Sequence, residues 1–151
     1  MEAPRLRHVC DLDVALSGVT ELGQGRGGRR RIIPIVGGTA SGEITGCILN
    51  IGADWQTIHD GGVAFLDARY AIETHDGAVI EIVNQGYRHG PAEVIARLAA
   101  GETVDPSEYY MRTAARLETG DPRYAWVNRT VFVGSGQRLP DAVRISLFAV
   151  E

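Results

Sequence analysis

Glycine-rich turns cut this chain into short segments in which apolar and polar residues alternate, and no other feature restricts its fold as strongly. Successive side chains of a β-strand point to opposite faces, so segments of this kind predict strands with one buried face. The 19 glycines and six prolines favour many turns and short strands over long helices. The sequence therefore predicts an all-β fold, either an antiparallel sandwich or a closed barrel.

Eight segments fit the strand pattern, which is about the number needed to close a small barrel around one ligand. They are Arg7–Leu16, Arg30–Val36, Glu43–Ile51, Gly62–Thr74, Ala78–Asn84, Tyr109–Glu118, Tyr124–Gly134 and Ala142–Val150. One further segment has helical signals, because Pro91 suits a first helical position, Glu93 complements the helix dipole and Gly101 suits a C-terminal stop. We expect one short helix at residues 91–100 that caps a mouth of the barrel.

Length and charge limit the classes of protein to which this chain can belong. Its 151 residues predict a single domain spanning 1–151. A net charge of −4 gives no electrostatic footprint for nucleic acid or an anionic membrane surface. No signal peptide or membrane span is visible, and Cys10 and Cys47 lack CxxC spacing, so we expect a cytoplasmic protein with reduced cysteines. The oligomeric state, including a homo-oligomer, is left open.

The sequence also predicts that no metal and no cofactor is bound. Its four histidines are scattered and show no HExxH or similar ligand spacing. The glycine-rich loop Gly23–Gly28 leads into a strand, whereas a dinucleotide-binding loop must lead into a helix N-terminus.

A ribbon of aromatic and polar residues lies in the last third of the chain. If Tyr124–Gly134 is a strand, one of its faces carries Tyr124, Trp126, Asn128, Thr130 and Phe132. Such a face suits the lining of a cavity that binds a small, partly aromatic and partly polar molecule. We expect Tyr124, Trp126 and Asn128 to contact that ligand.

The preceding strand carries a second candidate group, in which Tyr110, Arg112 and Glu118 share one face. A phenol, a guanidinium and a carboxylate could bind an oxygenated ring and transfer protons around it. Under this hypothesis Arg112 and Glu118 are catalytic and Tyr110 binds the ligand. The alternative is an exposed barrel wall, with Tyr109, Met111 and Leu117 forming the core on the opposite face.

Four more residues, on three separate segments, are candidates. Asp54 is a candidate general base if burial raises its pKa, and Trp55 could stack on an aromatic ligand at a barrel mouth. Tyr70 is the one phenol on an otherwise apolar strand face, which suits an inward-facing hydrogen-bond donor. His89 could act as acid or base beside the ligand, and the alternative is a structural hydrogen bond at the helix start.

Several blocks of the sequence, in the right order, resemble the DUF3237 family, a family of unknown function. They are Arg29–Thr39, Gly52–Trp55, Leu66–Tyr70, Arg88–Pro91, Asp105–Arg112 and Tyr124–Arg129. The resemblance covers nearly the whole chain, and it implies a closed antiparallel barrel similar to calycins. Some fungal relatives are associated with ring closure in aromatic polyketide biosynthesis, but a shared fold does not by itself transfer that activity.

The leading functional hypothesis is a cofactor-free lyase, isomerase or cyclase that acts by proton transfer on a small phenolic or polycyclic compound in the lumen. The alternative is a non-catalytic calycin-like protein that binds such a ligand. A third class, a purely structural barrel, would fill its lumen with aliphatic side chains. Convergent ionisable groups in the lumen would favour an enzyme, and rings without a titratable group would favour a carrier.

Overall fold

The computed structural model describes all 151 residues and consists mainly of ten antiparallel strands. The strands are β1 (Leu6–Leu16), β2 (Thr20–Gly25), β3 (Gly28–Gly42), β4 (Gly46–Ile48), β5 (Gly52–Ile58), β6 (Ala64–Thr74), β7 (Val79–His89), β8 (Tyr110–Glu118), β9 (Phe132–Arg138) and β10 (Ala142–Val150). One α-helix, α1 (Ala92–Ala99), and three 3-10 segments, Asp60–Gly62, Pro106–Glu108 and Pro122–Arg129, connect them.

Eight of these strands close a barrel in the order β1-β10-β9-β8-β7-β6-β4-β3, and β3 returns to pair with β1. The other two extend it: β5 bridges β3 and β6 beyond the short β4, and β2 pairs only with β3. The predicted closed antiparallel barrel of about eight strands is therefore confirmed. The sequence did not reveal β2 or a separate β5.

Strand β3 changes direction near Gly37 and Gly38 and forms two parts of the barrel wall. Its first half pairs with β5 at Arg29–Ile35, and its second half pairs with β1 at Gly37–Gly42. Gly38 has a φ of 128°, and a Cβ built there would overlap the carbonyl oxygen of Asp13. Glycine therefore permits both the bend and the close approach of β1.

The barrel interior differs between its two ends. At the closed end, where β1 begins and β10 finishes, inward-facing residues form a large apolar cluster. Its fully buried members include Leu12, Ile72, Ile80, Phe132 and Leu147, and side chains of this kind each contribute about 1.5–3 kcal/mol on burial. The closed end is thus filled with apolar side chains whose burial stabilises the fold.

The opposite end, which we call the helix end, is covered in part by α1. Val94 and Leu98 of the helix pack on a smaller apolar cluster that contains Leu66, Tyr109 and Met111. The predicted helix at 91–100 is confirmed to within a residue at each end, except that Pro91 is the N-cap. No helix of this protein has the length and hydrophobicity required to cross a bilayer.

The predicted strand Tyr124–Gly134 is wrong over most of its length, because only residues 132–134 belong to a strand. Residues 122–129 form a 3-10 segment, and β9 begins only at Phe132. The Asp121 carboxylate caps this segment by accepting from the Arg123 amide at 2.9 Å, with Pro122 in the first turn. The Asn128 side chain then binds both the amide and the carbonyl of Thr119, at 2.9 and 2.8 Å. These caps compete successfully with strand pairing.

Candidate functional site

Polar side chains occupy the lumen between the apolar closed end and the helix end. On β7, the inward face runs from Ile80 and Ile82 to Asn84 and Arg88. On β5, Asp54 turns inward while its neighbour Trp55 is 45% exposed on the outside. Alternation of side chains along a strand places these polar groups in the barrel in phase with the aliphatic core.

These groups surround a cavity of about 40 Å³. On this measure a water molecule needs about 10–15 Å³, so the cavity has room for a few waters. Its polar lining consists of Asp54, Gln56, Tyr70, Asn84, Arg88, Thr113 and Arg138, and its other lining residues are apolar.

Buried polar atoms without a partner are concentrated in this cavity. They are the Tyr70 hydroxyl, Asn84 Oδ1, Arg88 Nε and Thr113 Oγ1, and the one other such atom in the protein is Arg30 Nε. Buried polar groups are nearly always hydrogen-bonded, and each unsatisfied one costs about 1–3 kcal/mol. Four of them around one cavity indicate a site for a polar ligand or for ordered water.

Asp54 is the one carboxylic acid that lines this cavity. Its Oδ2 accepts from Gln56 Nε2 at 2.6 Å, and its Oδ1 accepts from the Asp67 backbone amide at 2.9 Å. Burial raises the pKa of Asp54, although these two hydrogen bonds and the charges of Arg88 and Arg31 oppose the rise. The carboxylate is thus held in one orientation and has a stronger affinity for a proton than an exposed aspartate.

The raised pKa of Asp54 makes the stability of the protein dependent on pH. The folded state binds the proton more tightly than the unfolded chain, in which the pKa is about 3.9. Wild-type stability therefore falls, relative to Asp54→Asn, as pH rises from about 4 through the folded pKa. Thermal denaturation at pH 4, 6 and 8 should show a melting temperature difference, variant minus wild type, that grows with pH. A constant difference would show that the Asp54 pKa is not raised.

Tyr70 supplies a hydroxyl group to the same cavity. Its side chain is 3% exposed, and burial raises its pKa above the usual value for a phenol. The group therefore stays protonated at neutral pH and can donate a hydrogen bond. It lies near the Asn84 amide, but the two make no hydrogen bond of good geometry.

Three arginines give this part of the lumen a positive charge. Arg88 is 7% exposed, and its burial, together with the charges of Arg31 and Arg138, lowers its pKa to about 10. It remains protonated at neutral pH. Burial likewise lowers the pKa of Arg138, which lines the cavity, and of Arg31, whose Nε donates to Gln56 Oε1 at 2.9 Å. The ion pairs of the chain lie elsewhere and include none of these three.

Asp54 and Tyr70 are thus brought together in the lumen, whereas the group predicted on β8 is not. Tyr110, Arg112 and Glu118 are exposed on the outer face, because Met111, Thr113, Ala115 and Leu117 occupy the inward positions. His89 is exposed too, and its ring stacks on Tyr110 with centroids 4.8 Å apart. The alternative of an exposed wall is the correct one for this strand.

The remaining predicted ligand-binding residues do not line the cavity. Tyr124 is buried in the apolar cluster of the closed end, and Trp126 packs against that cluster. Tyr124 and Trp126 belong to the 3-10 segment, where the Tyr124 hydroxyl donates to Asp76 at 2.9 Å. Trp55 and Asn128, with Glu118, line an open groove of about 1170 Å³ on the outer wall. No buried polar atom of the groove lacks a partner. Helical backbone at 122–129 breaks the alternation that would have turned this ribbon inward.

Sequence reasoning missed five polar residues of the lumen: Gln56, Asn84, Arg88, Thr113 and Arg138. A signal for some of them was present, because Asn84 and Arg88 continue the spacing of Ile80 and Ile82, and Thr113 continues that of Met111. Each of these polar residues lies an even number of positions from the aliphatic residues of its strand, and this spacing predicts that it faces inward with them.

The structure contains no cluster of three or more histidine, cysteine, aspartate or glutamate side chains suited to hold a metal ion. The ionisable groups that converge in the lumen are one carboxylic acid, one phenol and guanidinium groups. This set can bind oxygen-bearing ligands and exchange protons with them.

Comparison with known proteins places these features in a family. The DUF3237 family, described as a protein of unknown function, matches residues 4–150. A UPF0311 protein of Rhodopseudomonas palustris is 44% identical over 145 residues, which make up 95% of each chain. The crystal structure of the R. palustris protein RPA1785, a conserved protein of unknown function, has a TM-score of 0.96 at 42% identity and covers 100% of both chains.

Two further solved structures share the barrel. A β-barrel-like protein of Acinetobacter baumannii is 44% identical with a TM-score of 0.88, covering 100% of this chain and 98% of its own. An enzyme of Penicillium herquei has a TM-score of 0.75 at 17% identity, covering 100% and 97%. At that identity the likeness shows a common fold and carries no information on activity.

Proposed function

The chain belongs to the DUF3237 family, and from the contents of its lumen we propose that it is a cofactor-independent lyase, isomerase or cyclase. It would act by proton transfer on a small phenolic or polycyclic compound that enters the barrel. One observation carries the proposal: a partly buried carboxylic acid with a raised pKa, Asp54, borders a cavity that four unpartnered polar side-chain atoms face. Perturbed acids in enclosed cavities are typical of general acid–base sites.

The proposed chemistry starts from a carbon acid next to a carbonyl group. Asp54 removes a proton from that carbon, and the electron pair of the C–H bond moves to the carbonyl oxygen as an enolate. The Tyr70 hydroxyl, which has no partner in the structure, donates a hydrogen bond to this oxygen. Asp54 then returns the proton at another position, which isomerises the compound or accompanies closure of a ring.

The size of the cavity determines how a ring could enter. At about 40 Å³ the space holds only the reactive edge of a phenolic compound. Admission of the ring requires the side chains at the helix end to move, and the flexible Met111 and the partly exposed Arg138 line that side of the cavity. The apolar closed end offers no comparable entry, because its residues are packed.

A non-catalytic carrier is the second candidate function. An aromatic-lined lumen without titratable groups would favour it, yet Tyr70 is the one aromatic residue lining the cavity. A carboxylic acid, a phenol and arginines that converge on the same space support an enzyme instead.

The proposal can be tested with 6-hydroxy-2-tetralone, a phenolic bicyclic ketone with acidic C–H bonds. We expect the protein to accelerate exchange of those hydrogens with D₂O, as followed by proton NMR, and a chelator to leave the rate unchanged. Binding of the compound without accelerated exchange would support the carrier and contradict the enzyme. A failure to bind any compound of a phenolic panel would contradict both.

A further inference from the structure

We propose that the natural ligand carries a carboxylate group and that Arg88 and Arg138 bind this group at the helix end of the lumen. The inference deepens the proposed function, on which it rests only for placing the ligand in the barrel. It names the chemical class of the substrate, an organic acid, which the proton-transfer chemistry does not specify.

The environment of Arg88 favours an anionic ligand. Its side chain is buried, its Nε has no hydrogen-bond partner, and it takes part in no ion pair. A buried charge without a partner costs several kcal/mol, so proteins normally pair it. Arg88 borders the cavity, and an anion in that cavity would supply the missing partner.

Arg138 lines the same cavity from β9. Its Nη1 and Nη2 donate to the Ala142 and Pro140 carbonyls at 3.1 and 3.3 Å, which fixes the side chain and leaves further N–H groups free. Repulsion from Arg31 contributes to the lowered pKa of both Arg88 and Arg138, so the three guanidinium groups are close neighbours. Two guanidinium groups on one cavity suit the two oxygens of a carboxylate.

The balance of charge around the cavity also favours an anionic ligand. Three acids lie near these arginines: Asp54 near all three, Asp141 near Arg138 and Glu21 near Arg31. Of these acids only Asp54 lines the cavity, where it supplies at most one negative charge against the two positive charges of Arg88 and Arg138. An organic monoanion would balance this excess within a space of about 40 Å³.

Carboxylate binding and proton transfer are also assigned to different positions along the barrel axis. Arg88 pairs with Ala64 and Met111 near the helix end. Tyr70 pairs with Ile82, which precedes Arg88 by six residues on β7 and lies nearer the closed end. At about 3.3 Å per residue, Arg88 and Ile82 are roughly 20 Å apart along the strand, and Asn84 lies between them. A substrate held by its carboxylate near Arg88 and Arg138 would therefore extend its reacting atoms inward, toward Asp54 and the Tyr70 hydroxyl.

The test compares three probes of similar size by isothermal titration calorimetry at constant ionic strength: benzoate, benzamide and phenol. We expect benzoate to bind at least tenfold more tightly than either neutral probe. Arg88→Met and Arg138→Gln should each weaken benzoate binding by about ten- to a hundredfold, as expected for loss of a charged hydrogen bond. Arg116→Gln, which changes an exposed arginine on the outer face of β8, should leave it unchanged.

Several results would overturn the inference. If benzamide bound as tightly as benzoate, the site would not require a negative charge on the ligand. If inorganic phosphate bound as tightly as benzoate, the site would have no preference for a carboxylate. An equal loss of affinity in Arg116→Gln would indicate a general effect of net charge. Absence of benzoate binding to folded wild-type protein would also contradict it.

The Asp54→Asn variant separates this inference from the proposed function. Because it removes a negative charge near the arginines, it should bind benzoate at least as tightly as wild type. If arginine-dependent benzoate binding is found but Asp54→Asn exchanges protons as fast as wild type, the carboxylate site stands and the proposed chemistry fails. If Asp54 is essential but benzoate binds no better than benzamide, the chemistry stands and the carboxylate site fails.

Discussion

Replacing Asp54 with asparagine is expected to slow proton exchange on a phenolic ketone by about 10²–10⁴-fold, the usual contribution of a general base. The amide cannot accept the proton, yet its oxygen can still accept the hydrogen bond that the Asp67 amide now donates at 2.9 Å. The wild-type rate should rise with pH as Asp54 ionises and then level off above its raised pKa. The exchange rate, measured by NMR from pH 4 to 9, should lose this rise in the variant.

A neighbouring carboxylate provides the matched control. The Asp67 side chain lines the outer groove, where its Oδ1 accepts from Gln85 Nε2 at 2.9 Å. Asp67→Asn makes the same chemical change outside the lumen and should keep the wild-type rate and pH profile. Equal rates for wild type and a folded Asp54→Asn protein would rule out Asp54 as the base.

The Arg88→Met protein is expected to be more stable than wild type, with the free energy of unfolding raised by about 1–4 kcal/mol in the absence of ligand. Arg88 is 7% exposed and its Nε has no partner, so folding removes the guanidinium from water at a cost in free energy that no hydrogen bond of Nε offsets. Methionine follows the path of the arginine side chain as far as Nε, is apolar and adapts its shape to irregular space. Urea denaturation of both proteins at neutral pH measures the difference.

Arg116→Met is the control for this second effect, because Arg116 is exposed on the outer face of β8. Its free energy of unfolding should stay within about 0.5 kcal/mol of the wild-type value. A marked loss of stability in Arg88→Met would show that the guanidinium is bound to the protein itself and would remove its availability for a ligand.

Much of the barrel could be predicted because its strands alternate cleanly. β1, β6, β8 and β10 lie within two residues of their predicted bounds at each end. β2 was missed because none of its six residues is buried, so it has no apolar face to detect. The segment after Asp121 alternates like a strand, but its capping hydrogen bonds decide the backbone, and a hydrophobic pattern does not record them.

The site was harder to predict, because alternation does not say which face of a strand turns inward. On β8 both faces contained plausible functional groups, and the aliphatic spacing of Met111, Ala115 and Leu117 places Arg112 outside. Asp54 and Tyr70 were identified as candidates, and their catalytic roles remain predictions. Arg88 escaped notice because the predicted strand ended at Asn84, whereas the observed strand continues to His89, and because an arginine is rarely buried.

The division of the barrel into a packed end and a polar end has a consequence for how such proteins diversify. Substitutions of Asn84, Thr113 or Arg138 alter the chemistry of the cavity while leaving the aliphatic cluster around Ile72, Ile80 and Phe132 intact. These three residues are therefore separate from the fully buried aliphatic residues of the closed end, whereas Val14, Ile35, Tyr70 and Ile145 belong to both the cluster and the cavity lining. A barrel of this kind can therefore vary the polar groups of its lumen without changing the aliphatic side chains that stabilise its closed end.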